Sequence, residues 1–228
     1  MISVIIPALN EADHIAAALK SVGGERDVEA IVVDGRSGDG TAGIASANGA
    51  RVVIQDACRA RQMNVGAAAA TGDLLVFLHA DTRLPKGYGG QVRRILSRSA
   101  TAAGAFEFRL DASSFGLRLV ELGVKIRARC LQLPYGDQVI FMRRDVFHSV
   151  GGVPDVPIME DFEMVRRLRR LGRIVIAPAP AVTSARSWRR LGVWQVTLLH
   201  QAFIGAFCAG VDPARIARWS ARFKEGKP

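Results

Sequence analysis

At 228 residues the chain is long enough for one sizeable domain, and 49% hydrophobic against 23% charged residues excludes a disordered polymer. Cys58, Cys130 and Cys208 lie far apart with no C-x-x-C pair, and His14, His79, His148 and His200 are scattered, which argues against a disulfide framework or a zinc site and predicts a reduced, cytoplasmic protein. The net charge of +10 gathers toward the end, where residues 186–228 hold eight Lys/Arg against Asp212 and Glu225; such a surface suits anionic partners, or serves solubility alone.

The chain opens on Ile2-Ser3-Val4-Ile5-Ile6-Pro7 with no Lys or Arg before Lys20, which reads as a buried strand and not as a secretory leader. Through residue 85 a short apolar run is followed by turn residues and then by a helix-like stretch. Runs 3–6, 30–33, 51–54 and 74–78 predict strands, and the Ala-rich stretches 13–21, 41–47 and 61–70 predict helices. That alternation implies an α/β fold with a mostly parallel central sheet flanked by helices. Ligands of such sheets bind beyond the carboxyl ends of the strands, so segments 7–11, 34–39, 56–61 and 79–81 are the places to search.

The second half is less regular. Segments 106–110, 139–142 and 174–176 read as strands, 115–131 as a helix, and Gly151-Gly152 with Pro154 and Pro157 as a loop. Met164, Val165, Leu168 and Leu171 give 161–171 helical spacing. The apolar stretch 192–211 is long enough to span a bilayer, but Gln195, Thr197, His200 and Gln201 interrupt it. We therefore expect a domain over 1–190 and a C-terminal helical extension over 191–228. The extension would pack on the domain, on a second copy in a homodimer, or, with Arg186/Arg189/Arg190 and Arg215/Arg218/Arg222 around it, on an acidic membrane surface.

Four constellations carry candidate chemistry. After the second strand, Gly38-Asp39-Gly40-Thr41-Ala42-Gly43 matches G-x-G-x-x-G with Asp56 beyond it, the pattern of an NAD(P)-type dinucleotide-binding oxidoreductase. Residues 34–37 separate that pattern from its strand, however, and the following helix is short for a crossover. In the other reading Asp34 accepts hydrogen bonds from a base or ribose while Ser37 and Asp39 shape the turn, or the whole segment is a structural turn. Arg59 and Arg61, beside a helix N-terminus, suit a diphosphate clamp. His79 and Asp81 project to one side at a strand end, where Asp81 would share Mg²⁺ or Mn²⁺ with phosphate oxygens or simply cap a turn. Glu160-Asp161 opens an amphipathic helix, as an acidic first turn or as a carboxylate ready to take a hydroxyl proton.

Taken in order, SVIIPALNE (3–11), VVDGRSGDGT (32–41), RARQMNVG (59–66), TGDLLVFLHADT (71–82), GDQVIFMRRDVF (136–147), Gly151-Gly152 and MEDFEMVRRLRRLG (159–172) resemble the inverting family 2 glycosyltransferases of GT-A, Rossmann-like fold. The LHADT and GDQ stretches and the short length are most similar to the small radical-SAM/selenodomain-associated branch. The resemblance implies that Pro7, Asn10, Glu11 and Asp34 line a nucleoside pocket. It implies that Arg59 and Arg61 face the donor, with Gln62 and Asn64 nearby, and that Asp81 binds a divalent metal, Mg²⁺ or Mn²⁺. Asp161 would deprotonate an acceptor hydroxyl with Glu160 beside it. The donor would be a UDP- or GDP-sugar and the acceptor an unknown hydroxyl, with no nucleic acid as partner. His79 stands where the first Asp of D-x-D is usual, and is placed with the nucleotide-binding residues. No Q-x-x-R-W follows the Glu160-Asp161 pair, Arg186-Ser187-Trp188 being a faint echo, which favours transfer of a single sugar over processive synthesis. A sugar-1-phosphate nucleotidyltransferase would want a Gly-rich basic loop where Ala8-Leu9-Asn10-Glu11 stands. A non-enzymatic module binding RNA or acidic lipid would account for the charge but not for two separate acidic sites.

Overall fold

The computed structural model describes residues 1–224. Its centre is β1 (Ile2–Ala8), which pairs in parallel with β2 (Val28–Asp34) on one side and β4 (Leu74–Phe77) on the other, while β3 (Arg51–Ile54) extends the sheet beyond β2. Both faces of β1 are covered: Val4 and Ile6 join one apolar cluster and Ile5 the opposite one. Such two-sided burial is why these strands read as continuous apolar runs instead of alternating ones. The crossovers are α1 (Ala12–Val22), α2 (Thr41–Ala47) and α3 (Arg59–Ala69).

The rest of the chain comprises β5 (Thr82–Arg83), α4 (Tyr88–Leu96), β6 (Thr101–Leu110), α5 (Phe115–Cys130), a 3-10 turn (Gly136–Gln138), β7 (Phe141–Arg143), α6 (Arg144–Ser149), α7 (Glu160–Leu171), β8 (Arg173–Thr183), α8 (Arg186–Leu191), α9 (Val193–Cys208) and α10 (Pro213–Lys224). The eight-stranded sheet runs β3-β2-β1-β4-β7-β6-β8-β5. It is parallel through β3-β2-β1-β4 and again at β6-β8, and antiparallel at β4-β7, β7-β6 and β8-β5. The expected α/β architecture with a mostly parallel, helix-flanked sheet is the one observed.

Element boundaries differ most in the second half. Residues 174–176 are only the start of β8, which continues to Thr183 through Pro178 and Pro180. Proline lacks the ladder N–H, and the register between β6 and β8 slips there, Phe106 facing Ala177 and Glu107 facing Pro180, so a bulge absorbs the prolines. Val139, read as strand, instead closes the 3-10 turn at φ 53°, and β7 begins two residues later. Helix α4 escaped notice because Gly89 and Gly90 blur its periodicity. The expected extension over 191–228 is helical in α9 and α10 as far as Lys224; residues 225–228 lie outside the described residues.

The tightest sheet–helix approach is at Gly66 of α3, where an added Cβ would press on the Ile5 side chain and sit 3.0 Å from Val33 Cγ2. Gly66→Ala is expected to lower the urea unfolding free energy by about 1–3 kcal/mol through overpacking. Equilibrium unfolding of the variant against the parent checks this.

Candidate active site

The loops after β1 and β2 are stitched into one rim. Asn10, at φ 53°, donates its N–H to Ser37 Oγ (2.9 Å) and accepts from Gly38 N–H through Oδ1 (3.0 Å). Asp34 is buried, accepts from Ser37 N–H through Oδ2 (2.9 Å), and leaves Oδ1 without a protein partner. Asp39 caps α1 across the loops, accepting from Ala12 N–H (3.0 Å), and also accepts from the Thr41 amide and hydroxyl. The Thr41 hydroxyl and the Ala12 amide hold its carboxyl below the usual Asp range. Asn10 and Asp34 thus join two loops, and neither is among the residues lining the cleft described next. The dinucleotide fingerprint fails on geometry: its third glycine, Gly43, has open space where close helix–strand packing would be required.

Beyond the strand ends lies a cleft of about 570 Å³. Pro7 and Glu11 line it from β1 and its loop, Arg59 from the start of α3, and His79 and Asp81 from the segment after β4. Glu160 and Asp161 enter from the first turn of α7, so Asp81 and Asp161 face the same cavity. Asp161 is fixed by two amides, accepting from Gly136 N–H through Oδ2 (2.7 Å) and from Phe162 N–H through Oδ1 (2.7 Å). Gly136 is required by this approach: a Cβ there would stand 2.8 Å from His79 Nε2 and 3.1 Å from Asp161 Oδ2. Burial, reinforced by the Arg59 charge, pushes His79 well below the usual histidine range, so its imidazole is neutral. Arg59 Nη1 lies 3.8 Å from Glu160 Oε1.

Arg61 is turned away. Its guanidinium pairs with Asp155 (3.1 Å) on the surface and is not among the cleft residues. Gln62 and Asn64 are structural braces: Gln62 Nε2 donates to the Ala8 and Val33 carbonyls, tying β1 to β2, and Asn64 bonds both Val153 N–H and C=O.

Arg186 and Asp137 also line the cleft, though the sequence reading placed neither in the site. Arg186, at the start of α8, forms two hydrogen bonds with the Glu11 carboxylate and places Nη2 3.4 Å from Asp81 Oδ2. Bonding to Glu11, with the Asp81 charge added, raises its pKa further. Asp137, within the 3-10 turn, lines the cleft and has a buried Oδ1 without a hydrogen-bond partner. Its turn is held by the Thr183 hydroxyl on the Asp137 carbonyl (3.3 Å), by Gln138 Nε2 on the Phe106 carbonyl (3.1 Å), and by left-handed Val139, a costly conformation for a β-branched residue. Burial pushes the Asp137 carboxyl up to about 6, against the pull of Arg127, and the Asp161 and Asp81 charges add to the rise. The only signal in the sequence was its place in the GDQ stretch.

For a divalent cation the donor set is thin but suitable. No group of three or more His, Cys, Asp or Glu that could hold a metal occurs among the described residues. Asp81 at the strand end, with Glu11 nearby across Arg186, fits a cation that takes one or two carboxylates and completes its shell with substrate phosphate oxygens.

A sheet with its acids and cations gathered at the carboxyl ends of the strands is the frame of a GT-A transferase. The profile of glycosyl transferase family 2 matches residues 3–119, and the chain belongs to that family; it is a glycosyltransferase. No protein among the curated relatives searched matches it. Among solved structures it is similar to glucosyl-3-phosphoglycerate synthase from Mycobacterium tuberculosis, crystallised with Mn²⁺, UDP and glucosyl-3-phosphoglycerate (24% identity, TM-score 0.62, 80% of this chain and 71% of that one). It is also similar to a mannosyltransferase from Pyrobaculum calidifontis in complex with GDP-Man and Mn²⁺ (21%, 0.67, 97% and 69%). A third similar structure is S. aureus TarS 1-349 (15%, 0.63, 81% and 60%). At these identities the likeness is one of fold.

Because the folded state holds a proton on Asp137 that the unfolded chain releases near pH 4, stability falls as pH rises from about 4 to about 6. Asp137→Asn removes that loss. Its Tm is expected to exceed that of the parent at pH 8 by several degrees and to converge on it at pH 4, as read by scanning calorimetry.

Proposed function

We propose that this protein transfers a single sugar from a nucleoside-diphosphate sugar to an acceptor hydroxyl, with inversion at the anomeric carbon, and that it belongs to the small radical-SAM/selenodomain-associated branch of its family. The observation that carries the reading is the shared cleft: it is lined both by Asp81 with Arg186 and by Asp161, fixed by two amides. In this scheme the acceptor oxygen bonds to the anomeric carbon as the bond from that carbon to the diphosphate oxygen breaks, and the hydroxyl proton passes to Asp161. Asp161 suits the base role because the amides of Gly136 and Phe162 fix the orientation of its carboxylate before substrate arrives. The leaving diphosphate gathers negative charge, and Arg59 and Arg186, two of the arginines lining the cleft, would meet it. A bound Mg²⁺ or Mn²⁺, held by Asp81, would supply further charge neutralisation at the same oxygens. Support for that cation and for a UDP- or GDP-linked donor comes from the similar folds crystallised with UDP and Mn²⁺ and with GDP-Man and Mn²⁺.

The nucleoside end falls to the rim of Pro7 and Glu11 with Asp34 beneath it; Asp34 Oδ1 is buried without a protein partner and would accept from a ribose hydroxyl or base N–H once the rim loops part to admit it. His79, neutral, offers a hydrogen bond without adding charge beside Arg59. The Asp137 carboxyl, whose Oδ1 has no hydrogen-bond partner, lines the same cleft and would hydrogen-bond hydroxyls of the sugar in transit.

Thermal-shift measurements with UDP and GDP, each with and without Mn²⁺, test the donor assignment. At a hundred times its Kd a ligand adds about 2.7 kcal/mol of stability. A nucleoside diphosphate is expected to raise Tm, more so with Mn²⁺, and Asp81→Ala to abolish the metal-dependent part; indifference of the parent to both nucleotides would remove the assignment. Asp161→Asn is expected to keep nucleotide binding and lose about 10²–10⁴-fold in turnover. Retained turnover takes Asp161 out of the base role.

A further inference from the structure

Helix α5 is amphipathic twice over. Leu117, Val120 and Val124 pack inward against the β6 and α8 residues Phe108, Leu110 and Trp188, and Ala128 on the same side is fully buried, which accounts for one apolar face. A second apolar stripe points outward: Phe115, Leu119, Leu122 and Ile126 follow one another at helical spacing, and Phe115 is 81%, Leu122 52% and Ile126 55% exposed. The Val193 side chain lies against Gly116, which brings the start of α9 to the Phe115 end of the stripe. There Trp194 is 60% and Leu198 68% exposed. A monomeric soluble surface scatters large apolar side chains singly and does not align them in a row.

The charges beside the stripe say what covers it. Arg118, Lys125 and Arg129 run along one flank of the same helix with their cationic ends about half exposed. The acids that pair with them, Glu121 and Glu107, are only 14% and 20% exposed and sit behind them, toward the protein. The outermost charge is therefore positive. Long basic stems edging an apolar stripe, with an exposed Trp at one end, suit a helix lying in the headgroup layer of an anionic bilayer. A second copy is a poor fit, because a two-fold contact through this stripe would set one cationic row against another in a chain that already carries +10.

We propose that the outer face of α5, continued by Trp194 and Leu198 of α9, docks this protein on an anionic membrane surface. The sequence pattern had put such contact on residues 192–211, but in the structure α9 spends Val196 and Phe203 on the cleft wall and the larger exposed apolar row lies on α5. No helix among the described residues is long and apolar enough to cross a membrane, so the contact is one of lying on the surface.

Flotation of the full chain with vesicles of phosphatidylcholine plus phosphatidylglycerol, against phosphatidylcholine alone, is the test. The parent is expected to float with the anionic vesicles at low salt and to come off as salt rises. Leu122→Glu/Ile126→Glu, and the milder Leu119→Ser/Leu122→Ser, are expected to cut the bound fraction at least about tenfold, with thermal unfolding and the UDP or GDP response unchanged. The inference is overturned if the parent stays down with anionic vesicles, or if folded variants float as well as it does. It is equally overturned if light scattering shows a dimer that these substitutions split, since a second copy is then the occupant.

Discussion

Glu11, Asp81, Asp137, Glu160 and Asp161 share one cleft, and their mutual repulsion is the problem the surrounding structure has to manage. Each is handled differently. Glu11 and Asp81 share Arg186, Glu160 faces Arg59, Asp161 is held by two backbone amides, and Asp137 retains a proton to about pH 6. Arg127 lies over the Tyr135 ring at 3.4 Å and reaches Gln138, placing one more cation behind the turn that carries Asp137. The cations that balance these acids in the cleft are of the kind that meets a departing diphosphate.

That arrangement is held by backbone under strain. Asn10, Arg36, Val139 and Met159 all have φ between 53° and 66°, and each sits in a segment next to the rim or the cleft. Met159 immediately precedes Glu160 and Asp161, and Val139 closes the turn of Asp137. Non-glycine residues in this region cost energy and persist where packing over-determines them. Here the packing is explicit: Val139 is fully buried, Gln138 is bonded to the β6 backbone, and the loops after β1 and β2 are cross-linked through Ser37, Asp39 and Thr41. Rigid placement of charged groups before substrate arrives is the arrangement electrostatic catalysis needs.

The C-terminal helices serve two surfaces. Val196 and Phe203 of α9 wall the cleft, while Trp194 and Leu198 of the same helix are exposed. Arg186 marks where this part of the chain meets Glu11 and Asp81, so the helices that follow it and the charge of the cleft are structurally linked. Two arginines of the segment have acidic partners: Arg186 meets Glu11 and Asp81 in the cleft, and Arg189 pairs with Asp111 at the end of β6.

The parallel half was legible because its central strands are buried on both faces and each rim carries its own polar residues, so local order marked segments 7–11, 56–61 and 79–81, and the family resemblance singled out Pro7 and Glu11 within the first. Asp161 was found because a helix start advertises itself by composition. Glycine-blurred α4 was not, and proline-bearing β8 was legible only over residues 174–176, since their stability comes from neighbours and not from propensity. Nor did local order tell apart Arg61, which turns out to Asp155, from Arg59, which turns into the cleft. The position of Asp137 depends on pairing: β7 runs antiparallel to β4, so the turn leading into β7 arrives where β4 ends, beside His79 and Asp81. Residue types and their order determined the family, the sheet and the kind of chemistry; which side chains meet across the cleft was decided by strand direction and register, properties of chain segments some sixty residues apart that no local pattern encodes.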